Sequence, residues 1–374
     1  MTKPLELPLL APHDGALQHC VYCPKLCRAA CPVAMVDGNE TVTPWGKMAM
    51  AYYQARGDVP VEAEHGASAW DCCACLACRQ RCEHSIEVAT VLTDARAEVA
   101  AREAAPEPAQ AVIQRYEEHE RELADGMDGF DQLGEDGAPT ALLMGCSYVR
   151  HSPEVARAIW TVASTFVAGG LRAVRSCCGL PLLSAGDRPG FERAARKLAA
   201  ELRGVDRVVV ADPGCAHTLL VDYPRVGVAV GQVELLVDRV FRGLERLPAG
   251  LLGDRYHEVG TFRYHDPCQL GRGLGRYEEP RKILEHLCGE APAEFQRARE
   301  AADCSGAGGL LAVTRPELSR ALADDRLAEH RALGGGLLVT GCGESLRRFR
   351  SCGQETVDIM SLVAEACGGE VGDG

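Results

Sequence analysis

The sequence lacks the features that mark several large protein classes. No run approaches the roughly 18 apolar residues that a membrane-spanning helix needs. Lysine and arginine number 40 against 53 aspartates and glutamates, and the formal charge of −13 opposes binding to a polyanion such as nucleic acid. Neither the GxGxxG nucleotide fingerprint nor the GxSxG nucleophile motif occurs. The chain is therefore not expected to hold a nicotinamide or flavin cofactor of its own, and it offers no predictable catalytic residue.

The amino-terminal stretch MTKPLELPLLAPHDG lacks the basic segment and long apolar run of a secretory signal. We therefore expect a cytoplasmic protein. Any contact with the membrane would be peripheral, on its inner face, and made through a partner protein. In that reducing compartment clustered cysteines are metal ligands or redox groups more often than structural disulfides. Cysteine is what this sequence has in excess, 19 residues in 374.

Two dense cysteine runs lie in the first hundred residues. One run has the bacterial ferredoxin spacing CxxCxxCxxxC and consists of Cys72, Cys75, Cys78 and Cys82. The other has one extra residue between its second and third members, ends in the expected Cys-Pro, and consists of Cys20, Cys23, Cys27 and Cys31. Thiolates are the ligands that iron–sulfur clusters prefer. The spacing therefore predicts two [4Fe-4S] clusters.

In the bacterial pattern the fourth cysteine of each run ligates the cluster of the other run. One predicted cluster is therefore held by Cys20, Cys23, Cys27 and Cys82. The other is held by Cys72, Cys75, Cys78 and Cys31. Zinc is the alternative, since paired cysteines also form tetrahedral zinc sites. Cys73 falls outside the spacing and is interpreted as a small buried residue.

We predict a multidomain chain in four consecutive parts. Residues 1–105 form an all-α, ferredoxin-like domain around the two clusters, and residues 106–138 form a helical linker rich in glycine and aspartate. Two duplicated cysteine-rich α/β domains with small parallel sheets follow, at 139–255 and 256–374. These two domains are predicted because β-rich runs such as TALLMG and DRVVVAD alternate with helical stretches. The same alternation occurs again later, with the β-rich runs TFRYHD and GLLVTG.

Cysteine positions support the duplication. Cys178 and Ser305 are 127 positions apart, and so are Cys215 and Cys342. In the first repeat each predicted strand is followed by a cysteine, and the carboxyl ends of parallel strands share the edge where ligands bind. The candidate metal ligands at this edge are Cys146, Cys177, Cys178 and Cys215. The corresponding residues of the second repeat are Cys268, Cys304 and Cys342. The alternative is that these are buried packing residues beside turn glycines.

Two ferredoxin-type runs followed by two such repeats resemble the iron–sulfur subunits of glycolate oxidase and anaerobic glycerol-3-phosphate dehydrogenase, and the D subunit of heterodisulfide reductase. The resemblance implies that a complete repeat supplies five cysteines, which can hold a non-cubane [4Fe-4S] cluster. Here Thr218 replaces the fifth cysteine of the first repeat, and Ser305 and Ser345 replace two of the second. Four thiolates could still hold a third cluster in the first repeat, whereas the second repeat would be a poor iron site.

The function that this resemblance implies is electron transfer between a partner and an acceptor. The expected partner is a flavoprotein dehydrogenase or oxidase acting on a small organic substrate, and the acceptor is a quinone, a membrane subunit or another carrier. The incomplete repeats favour a relay over the alternative, a heterodisulfide or thiol reductase in which the cysteine-rich half binds the substrate. A zinc-binding scaffold is the third hypothesis.

Overall fold

The computed structural model describes residues 5–131, 133–135, 137–252 and 261–368. The chain divides into two compact units. The first unit comprises Met1–Tyr116, Pro181–Phe191 and Glu300–Arg326. The second unit comprises Glu117–Leu180, Glu192–Arg299 and Leu327–Gly374.

The first unit is helical, and no strand forms among its described residues. Its α-helices are Asp14–Val21, Pro32–Asp37, Pro44–Ala55, Ala63–Gly66, Ala77–Gln80, Val88–Ala100, Glu107–Gln114 and Leu311–Thr314. Short 3₁₀ segments between them are Ala11–His13, Leu26–Ala30, Glu40–Val42 and Ala67–Asp71. The resemblance of this part to a ferredoxin beyond its helices stays a prediction, and so do the predicted domain boundaries.

Helix Pro44–Ala55 lies in the core of the first unit. It begins where sequence rules place a start, because the Thr43 side chain accepts a hydrogen bond from the backbone N–H of Gly46 and a proline occupies the first turn. Its buried face shares a hydrophobic cluster with Leu92 of helix Val88–Ala100. This packing positions both cysteine runs, which flank the helix in the sequence.

A buried arginine ties the three segments of the first unit together. The Arg96 guanidinium donates hydrogen bonds of 2.7–3.1 Å to the carbonyl oxygens of Ala69, Cys72, Ser184 and Gly309. The indole N–H of Trp70 also donates to the Ser184 carbonyl, at 3.1 Å. Because main-chain carbonyls satisfy these donors, residues 181–191 and 300–326 are integral to the first unit.

The second unit contains two parallel sheets. The four-stranded sheet has the order β2-β1-β3-β4 and consists of β1 (Thr140–Leu143), β2 (Leu171–Ala173), β3 (Arg207–Val210) and β4 (Gln232–Leu235). The three-stranded sheet has the order β5-β6-β7 and consists of β5 (Phe262–Tyr264), β6 (Leu337–Thr340) and β7 (Thr356–Asp358). Strands β1 and β6 are buried along their whole length, as central strands of covered parallel sheets are.

Helices connect these strands. Those within the second unit are Cys146–His151, Pro153–Phe166, Pro213–His217, Tyr223–Arg225, Leu236–Arg242, Glu278–Cys288, Gly343–Ser351 and Ile359–Ala366. Short π-helical segments cover Thr218–Asp222 and Gln269–Gly273. Helices that cross the sequence boundaries of the units are Tyr116–Asp131, Leu180–Ala185, Arg188–Glu201 and Pro316–Ala332. No helix among the described residues is both long and apolar enough to cross a bilayer.

The two sheets repeat one topology. Strands β5, β6 and β7 follow the order of β1, β3 and β4, and an isolated parallel bridge between Arg263 and Ala293 lies beside β5 as β2 lies beside β1. Both sheets are small and parallel, as predicted, with four and three strands. The predicted duplication into small α/β repeats is therefore confirmed.

One long helix occupies much of the predicted helical linker at 106–138. Helix Tyr116–Asp131 runs into the glycine- and aspartate-rich stretch that we assigned to a linker. The apolar residues of its last turns, Leu123, Met127 and Phe130, have helical spacing and are buried. Gly126 is needed there because a Cβ would lie 2.7 Å from a methyl group of Val149. Tertiary packing thus overrides the low helix propensity of glycine.

Candidate iron–sulfur sites

The first cavity is an opening of about 610 Å³ in the first unit. Its walls contain five cysteines, namely Cys20, Cys23, Cys27, Cys78 and Cys82. Cys20 lies in the last turn of helix Asp14–Val21, and Cys27 lies in the 3₁₀ segment Leu26–Ala30. The structure thus brings the fourth cysteine of the second run to the first three of the first run. This is the grouping that the ferredoxin crossover predicts.

The second cavity, of about 330 Å³, lies beside the same wall. Its cysteines are Cys31, Cys72, Cys73, Cys75 and Cys78. Cys31 comes from the first run, and Cys72, Cys75 and Cys78 come from the second run, as the crossover predicts; Cys73, outside the ferredoxin spacing, also lines this cavity. Cys78 and Val88 line both cavities.

The backbone of both runs is curled by residues in the left-handed region. Lys25, Ala74 and Leu76 have φ values of +66°, +51° and +63°, although none of them is glycine. Such conformations turn successive N–H groups toward one side of a loop, and the N–H of Ala74 donates to the Cys72 sulfur at 3.4 Å. Strained residues of this kind persist where a ligand or a site requires them.

Burial and neighbouring sulfurs raise the pKa of cysteine thiols in both cavities. Burial, and then three neighbouring sulfurs, raise the pKa of Cys20 to about 12; those sulfurs belong to Cys27, Cys82 and Cys23. Burial raises the pKa of Cys78 well above its usual value, and the next contributors are Cys72, Cys75 and Cys31. Four thiolates in one cavity therefore require positive charge among them, which iron supplies. The two sets of neighbours fit two [4Fe-4S] clusters.

One lysine faces the second cavity from the core. Lys47 is 2% exposed, and its Nζ donates to the carbonyl of Asp71 at 2.8 Å and lies 4.0 Å from the Cys31 sulfur. Burial alone would lower the pKa of Lys47, but neighbouring cysteine sulfurs outweigh it and the pKa is raised. A charged ammonium group therefore stands beside the cluster position. Cysteine spacing gave no indication of it.

The third site lies at the carboxyl edge of the four-stranded sheet. Its cysteines follow β1, β2 and β3, as predicted, and are Cys146, Cys177, Cys178 and Cys215. The sulfurs of Cys177 and Cys146 are 3.9 Å apart, and those of Cys178 and Cys215 are 3.5 Å apart. The structure thus brings together all four predicted ligands of the first repeat.

The same site contains a histidine that the sequence analysis missed. A ring nitrogen of His119, from helix Tyr116–Asp131, lies within 4.8 Å of the sulfurs of Cys146 and Cys177. Hydrogen bonds from the Cys146 and Cys178 thiols lower the pKa of Cys177 well below its usual value despite burial, and His119 acts in the same direction. An imidazole in this position can hydrogen-bond a ligand sulfur or bind the metal directly.

Thr218 replaces the fifth cysteine without offering a substitute ligand. Its side chain is buried, and its hydroxyl donates to the carbonyl of Gly214 at 2.9 Å. Asp212 organises the same loop, since one of its carboxylate oxygens accepts from the N–H groups of Gly214 and Cys215 at 2.9 and 3.1 Å. Its other oxygen accepts from Gly343 in the second repeat at 3.3 Å. The loop is thus fixed around four thiolates.

The cysteines of the second repeat are placed differently. Cys342 is the N-cap of helix Gly343–Ser351, and hydrogen bonds from Ser345 oppose the increase that burial causes in its pKa. The Cys304 sulfur lies within 4.8 Å of those of Cys73 and Cys75 in the first unit. Within the described ranges, no group of three close ligand atoms includes Cys268 or Cys342. The metal-ligand role of the second repeat stays a prediction.

Known domain families match both halves of the chain. The model of the 4Fe-4S dicluster domain matches residues 16–86. The model of the cysteine-rich domain matches twice, at 140–220 and 262–345. The fold, the two cysteine-lined cavities and these matches define an iron–sulfur protein, in which a domain for two [4Fe-4S] clusters is followed by two cysteine-rich domains.

Similar known proteins include two reductase subunits and a probable iron–sulfur-binding oxidoreductase. The chain is 26% identical over 343 residues to the B subunit of the fumarate reductase (CoM/CoB) of Methanothermobacter marburgensis, covering 87% of this chain and 66% of that protein. It is 29% identical over 205 residues to the D subunit of the dihydromethanophenazine:CoB–CoM heterodisulfide reductase of Methanosarcina barkeri, covering 51% and 49%. It is 30% identical over 190 residues to the probable iron–sulfur-binding oxidoreductase FadF of Bacillus subtilis, covering 47% and 26%.

The chain thus combines the 4Fe-4S dicluster domain with two cysteine-rich domains, and over about half of its length it is similar to the D subunit of heterodisulfide reductase, as the sequence predicted. It spans about half to two thirds of the length of the reductase subunits. Among solved structures, a putative Asp/Glu racemase from Yersinia pestis aligns with 61% of this chain and 96% of its own at 13% identity and a TM-score of 0.28. That similarity is too low to show a shared fold.

Proposed function

We propose that the chain is the electron-transfer subunit of an oxidoreductase complex. A flavin-dependent dehydrogenase partner oxidises a small organic substrate, such as a 2-hydroxy acid, and passes single electrons to the cluster held by Cys20, Cys23, Cys27 and Cys82. The electrons continue to the cluster held by Cys72, Cys75, Cys78 and Cys31, and then to the site of the first cysteine-rich domain. A quinone, a membrane subunit or another carrier accepts them.

The observation that carries this proposal is the shared wall of the two cavities. Since Cys78 and Val88 line both, clusters bound in the two cavities would be neighbours. The proposal is supported by the lining of the cavities, since Cys20, Cys23, Cys27 and Cys82 line the first and Cys31, Cys72, Cys75 and Cys78 line the second. The protein's part is to fix this spacing and to set each potential through charge, hydrogen bonds and burial.

Three features favour the first cavity as the point of electron entry. It opens to solvent, its cysteines are partly exposed, and large apolar side chains stand uncovered beside it. Tyr22 is 80% exposed and Leu26, in the cavity wall, is 56% exposed. Exposed aromatic and aliphatic side chains around a redox centre suit transient docking of a partner protein.

The decisive experiment starts with anaerobic purification of the tagged full-length chain from its native cells. We expect a flavoprotein to co-purify, and we expect a panel of 2-hydroxy acids to bleach the visible iron–sulfur absorption. About eight irons per chain would mean that only the dicluster domain is loaded, and about twelve that the first cysteine-rich domain is loaded as well. Zinc in place of iron, or clusters that only dithionite can reduce, would contradict the proposal.

A pair of variants separates docking from electron transfer. Leu26→Asp should slow cluster reduction by the partner about tenfold or more, the equivalent of roughly 1.4 kcal/mol, and leave reduction by dithionite unchanged. Leu133 is the matched control, because it is exposed to the same degree, 59%, and does not line the first cavity. Equal rates for Leu26→Asp and Leu133→Asp would reject the first cavity as the docking site.

The close cysteine pairs of the first repeat keep a thiol reductase as the second candidate. The Cys178 and Cys215 sulfurs lie 3.5 Å apart at the ligand-binding edge of the sheet. In that case purified protein alone would reduce an organic disulfide with an artificial electron donor. Cys178→Ser would abolish the turnover and leave the first two clusters intact. Absence of any turnover by the iron-loaded protein would eliminate this candidate.

A further inference from the structure

Three buried cysteine sulfurs meet in the first unit, and two of them belong to residues that line the second cavity. Those of Cys73, Cys75 and Cys304 all lie within 4.8 Å of one another, and the three residues are 2%, 7% and 3% exposed. Cys75 belongs to the ferredoxin spacing, whereas Cys73 does not. Cys304 arrives from a segment more than 200 positions away. The spacing of the two cysteine runs gives no reason for this contact.

Close backbone contacts hold the segment around Cys304 against the segment around Cys73. A Cβ on Gly309 would lie 2.3 Å from the carbonyl oxygen of Cys72, and one on Gly308 would lie 2.4 Å from that of Cys73. Only glycine allows so close an approach. Arg96 fixes the same junction, because its guanidinium donates to the carbonyls of both Cys72 and Gly309. The position of Cys304 against Cys73 is therefore built into the first unit.

The contact is between sulfurs that can react with each other. The Cys73 thiol is hydrogen-bonded to both Cys304 and Cys75. The Cys304 sulfur also accepts a hydrogen bond from the N–H of Gly306 at 3.3 Å, which stabilises electron density on that sulfur. When Cys75 ligates iron, Cys73 and Cys304 are the two that are left. Bond formation would bring their sulfurs from within 4.8 Å to the roughly 2 Å of a disulfide.

We propose that Cys73 and Cys304 form a reversible disulfide that exchanges electrons with the adjacent cluster. This inference rests on the proposed function, since it requires the cluster held by Cys72, Cys75, Cys78 and Cys31. It adds a redox centre of a different kind to the chain. The pair would act as a two-electron store within a series of one-electron carriers.

The reaction balances with the two clusters of the dicluster domain. When the disulfide forms, the two S–H bonds break, one S–S bond forms, two protons pass to water, and two electrons leave. Each of the two oxidised [4Fe-4S] clusters accepts one electron. In the reverse direction the S–S bond would break as the Cys73 and Cys304 sulfurs take up two electrons, one from each reduced cluster, and two protons.

The test uses the full-length, iron-loaded protein under anaerobic conditions. Samples are poised at a series of potentials, denatured in the presence of N-ethylmaleimide, digested and analysed by mass spectrometry. We expect a Cys73–Cys304 cross-linked peptide in oxidised samples that disappears on reduction, with a tenfold change in the ratio for about every 30 mV, as a two-electron couple requires. Full alkylation of both thiols at every potential, in protein with about eight irons, would overturn the proposal.

Two variants complete the test. Cys304→Ser should abolish the two-electron couple and leave the iron content and the EPR signals of both clusters in place. Cys288→Ser is the matched control, since Cys288 is equally buried at 4% exposure and is outside the trio; it should keep the couple. Loss of iron in Cys304→Ser would show that Cys304 is a metal ligand and would reject the disulfide. Wild-type protein without iron would instead refute the proposed function itself.

Discussion

The charge of Lys47 should set the potential of the second cluster. Reduction adds an electron to a cluster whose ligand sulfur, that of Cys31, lies 4.0 Å from the Lys47 ammonium group. At about 4 to 8 Å and an effective dielectric constant of about 20, one unit charge is worth about 2 to 4 kcal/mol. That corresponds to about 90 to 180 mV for a one-electron couple. Because Lys47 is buried, salt screens this interaction little.

Lys47→Met removes the charge and keeps the length of the side chain. The reduced cluster loses a favourable interaction, so we expect its midpoint potential to fall by about 50 mV or more. The measurement is an anaerobic redox titration followed by EPR. Lys47→Arg retains the charge and should keep the potential within about 30 mV of wild type, roughly half a tenfold step for one electron.

Iron content and the first cluster provide the controls. Both variants should retain their iron, because Lys47 is not a ligand, and the cluster of the first cavity should move less than that of the second. A potential that stays constant or rises in Lys47→Met, in protein with full iron, would refute the electrostatic argument. Equal shifts of the two clusters would refute the assignment of Lys47 to the second cavity.

Three further outcomes are expected. Cys31→Ser should abolish the cluster of the second cavity and lower the iron content by about four atoms, although Cys31 lies in the first run; full iron content would contradict the crossover. Gly309→Ala, whose Cβ would lie 2.3 Å from the Cys72 carbonyl oxygen at a φ of +61°, should destabilise the protein in thermal unfolding more than Gly353→Ala. The latter, at φ +79° in open space, should cost only about 1 to 2 kcal/mol of backbone strain, and equal losses would refute the close-contact argument. His119→Asn should alter the EPR spectrum of iron bound in the first cysteine-rich domain, and an unchanged spectrum of that iron would exclude contact with the imidazole.

The features that the sequence predicted are those fixed by local spacing. A ferredoxin loop wraps three corners of a cluster within a few residues, so the spacing of Cys72, Cys75 and Cys78 specifies a site before any tertiary contact is known. Alternating β-rich and helical stretches likewise predicted parallel sheets. The carboxyl ends of the strands then placed Cys146 and Cys215 at one edge.

The features that the sequence did not reveal depend on tertiary contact. Lys47 lies in an ordinary helix, and only the packing of that helix turns its ammonium group toward the Cys31 sulfur. His119 comes from a stretch that we assigned to a linker, with no motif around it. Cys304 was aligned with the second repeat on a fixed offset, and the structure places its sulfur beside that of Cys73. No spacing rule predicts contacts between segments so distant in sequence.

The role of Arg96 in the first unit limits how this chain can be divided or recombined. Its guanidinium relies on carbonyls from three separate stretches of sequence, including those of Ser184 and Gly309. A fragment of residues 1–105 would keep Arg96 and lose two of its acceptors, and an unsatisfied buried cation is costly. Ser184 and Gly309 lie within the sequence of the two cysteine-rich domains, and the segments that contain them, 181–191 and 300–326, are part of the first unit. Residues 1–105 are therefore not expected to fold as an independent domain. Their transfer to another protein would carry the cysteine ligands without the segments that complete the core around Arg96.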